Sequence, residues 1–258
     1  VADRSPEHFE DREKEYADCI ARLGGVDVPA ELLAVLTTAL ERDPNQDFLG
    51  KLYMSLELGS HWHGQFFTPY SICEMMSRIT VAQEVAERKD GGYIPMTDPA
   101  CGAGATLIAG LNEMKRLGHN YQTDVLVVAQ DLDRVAAQMC YIQLSLLGAA
   151  GYVCIGNTLT NPCVGLTVLR PIEKEGQELW FTPMYFSELW VSRRQTEIVR
   201  GMMKRITPKR RSVMFDFPKK DKPEKTQIPP KKVAPKETPK KKAKNEIEGQ
   251  MSIFDLMG

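Results

Sequence analysis

The run Asp98-Pro99-Ala100-Cys101-Gly102-Ala103-Gly104 sets a carboxylate at the end of an apolar stretch and glycines in the turn behind it. Glycines let a backbone pass close to a ligand, and the helix N-terminus beyond them favours a negative group. That is the chemistry of a nucleoside or nucleotide cradle. A plain strand-to-helix loop reads the same residues without a ligand. A second acidic pair, Asp131 and Asp133, follows the apolar run 125–129, about thirty residues after the glycine turn. In nucleoside-binding α/β folds an acid ending the second strand holds the ribose hydroxyls, which assigns Asp131 to ribose. Asp133 stands where it would cap a helix beginning at residue 134. The third constellation is Gly64-Gln65-Phe66-Phe67-Thr68-Pro69. Its rings suit stacking on a cofactor, and Thr68 with unpaired backbone N–H groups suits a carboxylate. The alternative is a hydrophobic clamp at a helix start. His61-Trp62-His63 offers two imidazoles and no third ligand, so no metal site is expected.

These groups need a frame that gathers strand ends. Residues 69–88 read as a helix with Thr68 as cap and Pro69 at the first position. A strand over 93–97 runs into Asp98, and a helix over 105–117 follows the turn. Residues 125–129 form a strand, 134–147 a helix and 152–155 a strand. Strands alternating with helices in this way predict an α/β fold with a doubly wound, mostly parallel sheet and a ligand at the carboxyl ends of its strands. Past residue 159 the pattern weakens: 166–169 reads as a strand, 179–190 is aromatic-rich without an assignment, and 193–205 is helical. The first sixty residues read as a helical subdomain, with helices over 6–23, from Pro29 to about 40, and over 46–58.

The chain has 258 residues, 43% of them hydrophobic, and a net charge of −1. That balance conceals an asymmetry. Residues 204–244 carry sixteen Lys/Arg against four Asp/Glu, so an acidic body bears a basic tail, a pattern that often meets nucleic acid. Six cysteines include no C-x-x-C pair, which argues against a zinc ribbon or a thioredoxin-type site. Most of them read as small buried residues in a reducing compartment. No apolar run approaches the roughly 20 residues that span a bilayer, and the charged opening VADRSPEHFEDREKEYADC is no signal peptide. The expectation is a cytoplasmic protein without a membrane partner.

GQFFTP, DPACGAG, AQDLDRVAAQMCYIQLSLLG and IGNTL, in this order and spacing over about residues 45–160, resemble the modification subunits of type I restriction systems and related N6-adenine DNA methyltransferases. The resemblance implies a Rossmann-like methyltransferase core, S-adenosyl-L-methionine as cofactor, DNA as partner, and a bacterial, phage or mobile-element source. It also implies the cofactor contacts. Phe66, Phe67, Thr68 and Pro69 serve the methionine end, and Asp98, Pro99, Ala100, Cys101, Gly102 and Gly104 cradle the cofactor. Asp131 binds ribose with Leu132 beside it, and Asn157 meets the adenine ring where relatives usually carry Asp. In that family an Asn/Asp-Pro-Pro-aromatic motif holds the amine of a flipped adenine. This chain has no such string. Asn161-Pro162-Cys163-Val164 comes nearest, so Asn161 and Pro162 are the available catalytic candidates; the other reading of them is a turn. No segment of ~100 residues, the size of a small domain, remains for target recognition. The expected function is an S-adenosylmethionine-binding protein of this type that methylates weakly or not at all unaided. One alternative is an active enzyme whose base pocket is completed by a divergent loop or by a specificity or other partner subunit. Another is a non-catalytic accessory protein associated with DNA or with the replication sliding clamp.

The organisation expected is a helical subdomain over 1–60, a methyltransferase-like domain over 61–212, a Lys/Pro-rich disordered linker over 213–248 and a docking peptide over 249–258. Residues 218–248 hold eleven Lys and six Pro, which suits a solvated spacer or loose phosphate contact. Gln250, Met251, Ile253 and Phe254 resemble the short peptide by which bacterial replication and repair proteins grip the DNA polymerase sliding clamp. A terminal helix folding back on the core is the alternative.

Overall fold

The two central strands of the sheet are apolar almost throughout, and successive side chains point to opposite faces, which builds two separate cores. The computed structural model describes residues 8–56, 67–87, 92–163 and 165–206. Phe66, the His61-Trp62-His63 string, the 213–248 segment and the peptide carrying Gln250, Met251, Ile253 and Phe254 lie outside the described residues. Three helices come first: α1 (Phe9–Leu23), α2 (Asp27–Arg42) and α3 (Phe48–Ser55). Then follow α4 (Tyr70–Glu87), β1 (Ile94–Asp98), α5 (Ala105–Arg116), the short α6 (Tyr121–Asp124), β2 (Val125–Asp131), α7 (Arg134–Leu146) and β3 (Ala150–Ile155). A small hairpin of β4 (Gly165–Thr167) and β5 (Arg170–Pro171) precedes β6 (Glu178–Phe181), a 3-10 turn (Pro183–Phe186) and α8 (Glu188–Ile206).

The main sheet has the order β1-β2-β3-β6. β1, β2 and β3 run parallel, and β6 pairs antiparallel with β3, setting Tyr152 opposite Phe181 and Ile155 opposite Glu178. The protein is therefore α/β with a four-stranded, mostly parallel sheet. On one face Val125, Val127, Ala129 and Val153 pack under Leu107, Leu111 and Met114 of α5 and Ala137, Cys140 and Leu144 of α7. On the other, Leu126, Val128, Tyr152, Cys154 and Leu179 meet Met184, Tyr185 and Trp190. A sheet covered by helices on both faces makes its strands read as continuous apolar runs, as β2 does.

Three sequence expectations shift. The strand expected over 166–169 is only one arm of the hairpin, outside the main sheet. The fourth strand instead comes from the aromatic-rich run, because Leu179 and Phe181 point into one core while Trp180 points into the other. Its first residue, Glu178, looks unlike a strand residue because it serves as an ion-pair partner for Arg12. Finally, α2 starts at Asp27, so Pro29 is its third residue rather than its first. The first four N–H groups of a helix have no helical acceptor, and a proline there loses nothing.

The two edges of the sheet are treated differently. At the β6 edge, the Leu179 N–H donates to Glu173 Oε2 at 2.8 Å and its carbonyl accepts from Arg12 Nη2 at 3.0 Å. Arg12 also bonds Glu178 and stacks on Trp180, its guanidinium carbon 3.9 Å from the ring centroid, so α1 covers this edge. At the opposite edge β1 pairs only with β2 among the described residues, and Pro95 and Thr97 are exposed. Proline tolerates that position because an edge strand can spare the N–H. On α4, Ile72, Met75, Met76 and Ile79 leave an apolar stripe exposed at i, i+3, i+4 and i+7.

One buried amide ties the helical N-terminal elements to the sheet. Gln143 of α7 is fully buried; its Nε2 donates to Asp47 Oδ1 and to the Ala103 carbonyl, each at 2.8 Å, and its Oε1 accepts from Leu49 N at 3.2 Å. Asp47 in turn caps α3 through Gly50 N at 2.8 Å. Changing Gln143 to Leu keeps the volume but takes their side-chain partner from the Ala103 carbonyl and the Leu49 N–H, each costing about 1–3 kcal/mol, and leaves Asp47 Oδ1 with the Gly50 N–H alone. Urea denaturation should show a loss of roughly 2–4 kcal/mol on that basis. A loss within the ±0.5 kcal/mol typical of surface changes would mean that the network carries little.

Candidate functional site

The parallel register brings the ends of β1 and β2 side by side, with Asp98 level with Ala129. Beyond Asp98 the chain turns sharply. Cys101 N donates to the Gln130 carbonyl at 3.0 Å, and Gly104 N donates to the Cys101 carbonyl at 2.8 Å. Gly102 and Gly104 have φ of 53° and 99°, a region open to glycine and strained for other residues. Space is also limiting. A Cβ on Gly102 would lie 3.0 Å from Cδ1 of Phe67, and one on Gly104 would lie 3.0 Å from Cys140 Sγ.

The acid of the second strand faces this turn. Asp131 Oδ2 accepts from Gly102 N at 2.7 Å and Oδ1 accepts from Asp133 N at 2.9 Å. Asp133 Oδ1 accepts from Ala136 N at 2.8 Å and caps α7. The two sequence readings of the acidic pair thus fall to different residues: Asp133 makes the helix cap, and Asp131 reaches the glycine turn. Each Asp131 oxygen has one N–H partner, and a carboxylate oxygen can accept two, so capacity for hydroxyl donors remains.

Asp98 sits close to Asp131. Its Oδ1 accepts from Ala100 N at 3.1 Å. Burial raises its pKa above the ordinary carboxylate value, and the Asp131 charge adds to the rise against the Ala100 N–H and the Thr106 hydroxyl. A carboxyl whose folded-state pKa exceeds its unfolded value costs stability while ionised. That cost is present above the folded-state pKa and disappears as pH falls through it toward the unfolded value. Asp98→Asn should therefore melt higher than the parent chain at neutral pH, with the difference shrinking in acid, when followed by thermal denaturation across pH. A lower melting temperature at neutral pH would count against the burial argument.

Phe67 lies against Gly102, and its ring pairs with Tyr53 at a centroid distance of 5.6 Å. Thr68 and Pro69 are exposed just before α4, which begins at Tyr70, one residue later than the sequence indicates. The Pro69 carbonyl accepts from Cys73 N at 3.3 Å, so Pro69 already takes part in the first helical bond. Leu132, 69% exposed, offers an apolar surface directly beyond Asp131. Pro99 and Ala100 are exposed and Cys101 is buried.

Asn157 follows β3. Its Oδ1 accepts from Leu159 N at 2.9 Å and Thr160 N at 3.2 Å, so the amide oxygen is committed to its own turn. Thr158 Oγ1 donates to the Pro99 carbonyl at 2.6 Å and ties this loop to the glycine turn. Asn161 is the corner of the same loop. Its Nδ2 donates to the Glu175 carbonyl at 2.9 Å, and its carbonyl accepts from Gln130 Nε2 at 3.0 Å and Gln177 Nε2 at 2.7 Å. The Pro162 carbonyl accepts from Lys174 Nζ at 2.9 Å. Sequence reasoning did not single out Thr158, Gln130 or Thr106. A polar residue facing strand ends was the one signal available for Gln130, and nothing in the spacing marks the other two.

Glycine turn, second-strand acid and the loop after β3 thus meet at one end of a parallel sheet. The model of the N-6 DNA methylase family matches residues 46–212 of this chain. The chain belongs to the N-6 DNA methylase family. No curated protein and no solved structure matches it significantly. Membership in the N-6 DNA methylase family makes this a DNA methyltransferase-like protein, and the methyl donor that the family implies is S-adenosylmethionine. Among the described residues no helix is long and apolar enough to cross a membrane.

Proposed function

We propose that this chain binds S-adenosyl-L-methionine over the Asp98–Gly104 turn and the adjoining Asp131, as a Rossmann-like protein of the N6-adenine DNA methyltransferase type, and that alone it methylates DNA weakly or not at all. The 2.7 Å bond from Gly102 N to Asp131 carries the reading, since it sets a ribose-binding type of carboxylate against a backbone cradle that only glycine can form. Asp131 takes the ribose hydroxyls and Asp98 the cationic methionine end, while Phe67 and Leu132 supply apolar walls. Because the Asn157 oxygen is occupied, its Nδ2 donor is left to meet an adenine ring acceptor. The bound cofactor supplies an electrophilic methyl group on sulfur.

The inactivity clause rests on the base pocket. The only near match to the family's catalytic string is Asn161-Pro162, which is followed by Cys163 and Val164 rather than by a second proline and an aromatic residue, and whose Pro162 carbonyl already accepts from Lys174 Nζ. A second reading, that a partner subunit completes the pocket, is favoured by the open β1 edge. In doubly wound sheets ligands sit where strand order reverses, beside an inner strand. Here the strand ending in Asp98 has a neighbour on one side only among the described residues, and exposed apolar residues of α4 stand ready for cover.

Isothermal titration with S-adenosylmethionine should show binding; absence of binding would remove the proposal. Radiolabelled methyl transfer to adenine-containing DNA should be at background for the purified chain. Efficient transfer by the chain alone would overturn the inactivity clause, and transfer appearing only with an added partner subunit would select the second reading.

A further inference from the structure

The helix that covers the β6 edge buries almost nothing. In α1 only Arg12 is buried and Ile20 half-buried, while Phe9, Tyr16 and Leu23 are exposed. An isolated helix of 15 residues is marginal in water, and an apolar face packed on the core is what ordinarily secures one. Here the fastening is ionic. His8, Arg12 and Glu15 stand at i, i+4 and i+7, on one side of the helix. His8 Nε2 lies 2.6 Å from Glu173 Oε1. Arg12 Nη2 lies 3.0 Å from Glu178 Oε1, and Glu15 Oε2 lies 2.9 Å from Arg134 Nη2. Arg134 also bonds the second Glu178 oxygen. Glu15, Arg134, Glu178 and Arg12 thus form one chain of alternating charge running from helix to strand. Its outer end, Glu15 and Arg134, is 58% and 41% exposed, so salt reaches it. The joint to α2 is Gly24-Gly25, at φ of 78° and 138°, and a Cβ on either glycine would meet nothing within 4 Å. A joint of that kind has room to swing.

We propose that α1 is a latch on the β6 edge, hinged at Gly24-Gly25 and released by salt. In the closed latch Arg12 holds the Leu179 carbonyl and stands over Trp180, and Glu15 braces Arg134, the first residue of α7. Salt screens the exposed pair of Glu15 and Arg134 and weakens the inner bonds of Arg12. Once those go, no packed apolar face remains to hold α1, and the helix melts as it leaves. Release bares Glu178, the Leu179 carbonyl and the Trp180 ring. It does not undo the sheet. β6 keeps its pairing with β3, and the Leu179 N–H keeps Glu173 Oε2, which lies outside the latch. The open molecule therefore offers an acidic and aromatic strip that the closed one hides, while both cores stay packed.

The test is hydrogen–deuterium exchange of the full chain, resolved by peptide, between about 0.05 M and about 1 M sodium chloride, where the screening length falls to ~3 Å. Exchange in α1 should quicken about tenfold with salt, while α5 and α7 hold their rates. Glu15→Gln, at an exposed position, should quicken α1 about threefold in low salt and blunt the response to more salt. Glu13→Gln makes the same change at an exposed residue outside the ion-pair chain and should match the parent. Arg12→Lys keeps the charge but loses the two-nitrogen grip on Glu178 and the stacking on Trp180, so α1 should exchange at its high-salt rate in either buffer. An α1 that exchanges equally at both salt concentrations in the parent chain, whether fast or slow, overturns the proposal. So does one that quickens only together with α5 and α7, which is unfolding of the whole domain, and so do equal responses of Glu13→Gln and Glu15→Gln. Should Arg12→Lys fail to fold, the comparison of the two glutamate variants decides.

Discussion

Changing Asp131 to Ala should reduce S-adenosylmethionine affinity by at least a hundredfold while leaving the chain folded. A carboxylate accepting two ribose hydroxyls contributes about 1.5–3 kcal/mol per charge-assisted bond. Losing both corresponds to roughly a hundredfold or more in dissociation constant. Two backbone bonds, from Gly102 N at 2.7 Å and Asp133 N at 2.9 Å, go at the same time. Asp131 is only half-buried, so water can take over those N–H groups, and the expected stability loss is about 1 kcal/mol. Titration calorimetry reads the first effect and thermal melting the second. An Asp131→Asn chain sharpens the comparison, because its amide nitrogen cannot accept from an N–H. If Asp131→Ala bound within roughly threefold of the parent, which is under 1 kcal/mol, the ribose assignment would be lost.

Gly104→Ala should show a large effect on the fold and, through it, on binding. At φ of 99° an alanine is strained by about 1–3 kcal/mol. The new methyl group also meets Cys140 Sγ at 3.0 Å, a contact that adds about 1 kcal/mol of overpacking. Together they should lower the melting temperature by roughly 5–10 °C in a domain of this size. A double change separates the contributions. Cys140→Ala in the Gly104→Ala background relieves the contact but not the backbone, so recovery should be partial. Full recovery would show that the φ value costs nothing; no recovery would show that the sulfur is not the obstacle.

Much of the frame was legible because its signals are local. The run 125–129 is continuously apolar since β2 is covered on both faces, and 105–117 and 134–147 carry helical spacing since α5 and α7 press one side onto the sheet. The glycine turn and Asp131 were legible because backbone geometry demands particular residues there. β6 was not, since four residues mixing Glu178 with aromatics have no pattern until β3 and Arg12 are placed around them. Gln143 reads as an ordinary helix residue; only the approach of Asp47 and Ala103 from distant parts of the chain gives it a role. The bond from Thr158 to the Pro99 carbonyl is likewise a product of tertiary approach. Reading Asn161-Pro162 as a turn agrees with the bonds that Asn161 makes, which are those of a loop corner.

Leu179 has both its outward polar groups claimed, by Glu173 and Arg12, whereas among the described residues the β1 edge has only the missing N–H of Pro95 to interrupt it. Growth by strand pairing therefore has a single permitted direction. Two copies joined along their Pro95 rims would leave only blocked rims facing outward, so such an assembly ends at a pair and cannot run on into a fibre.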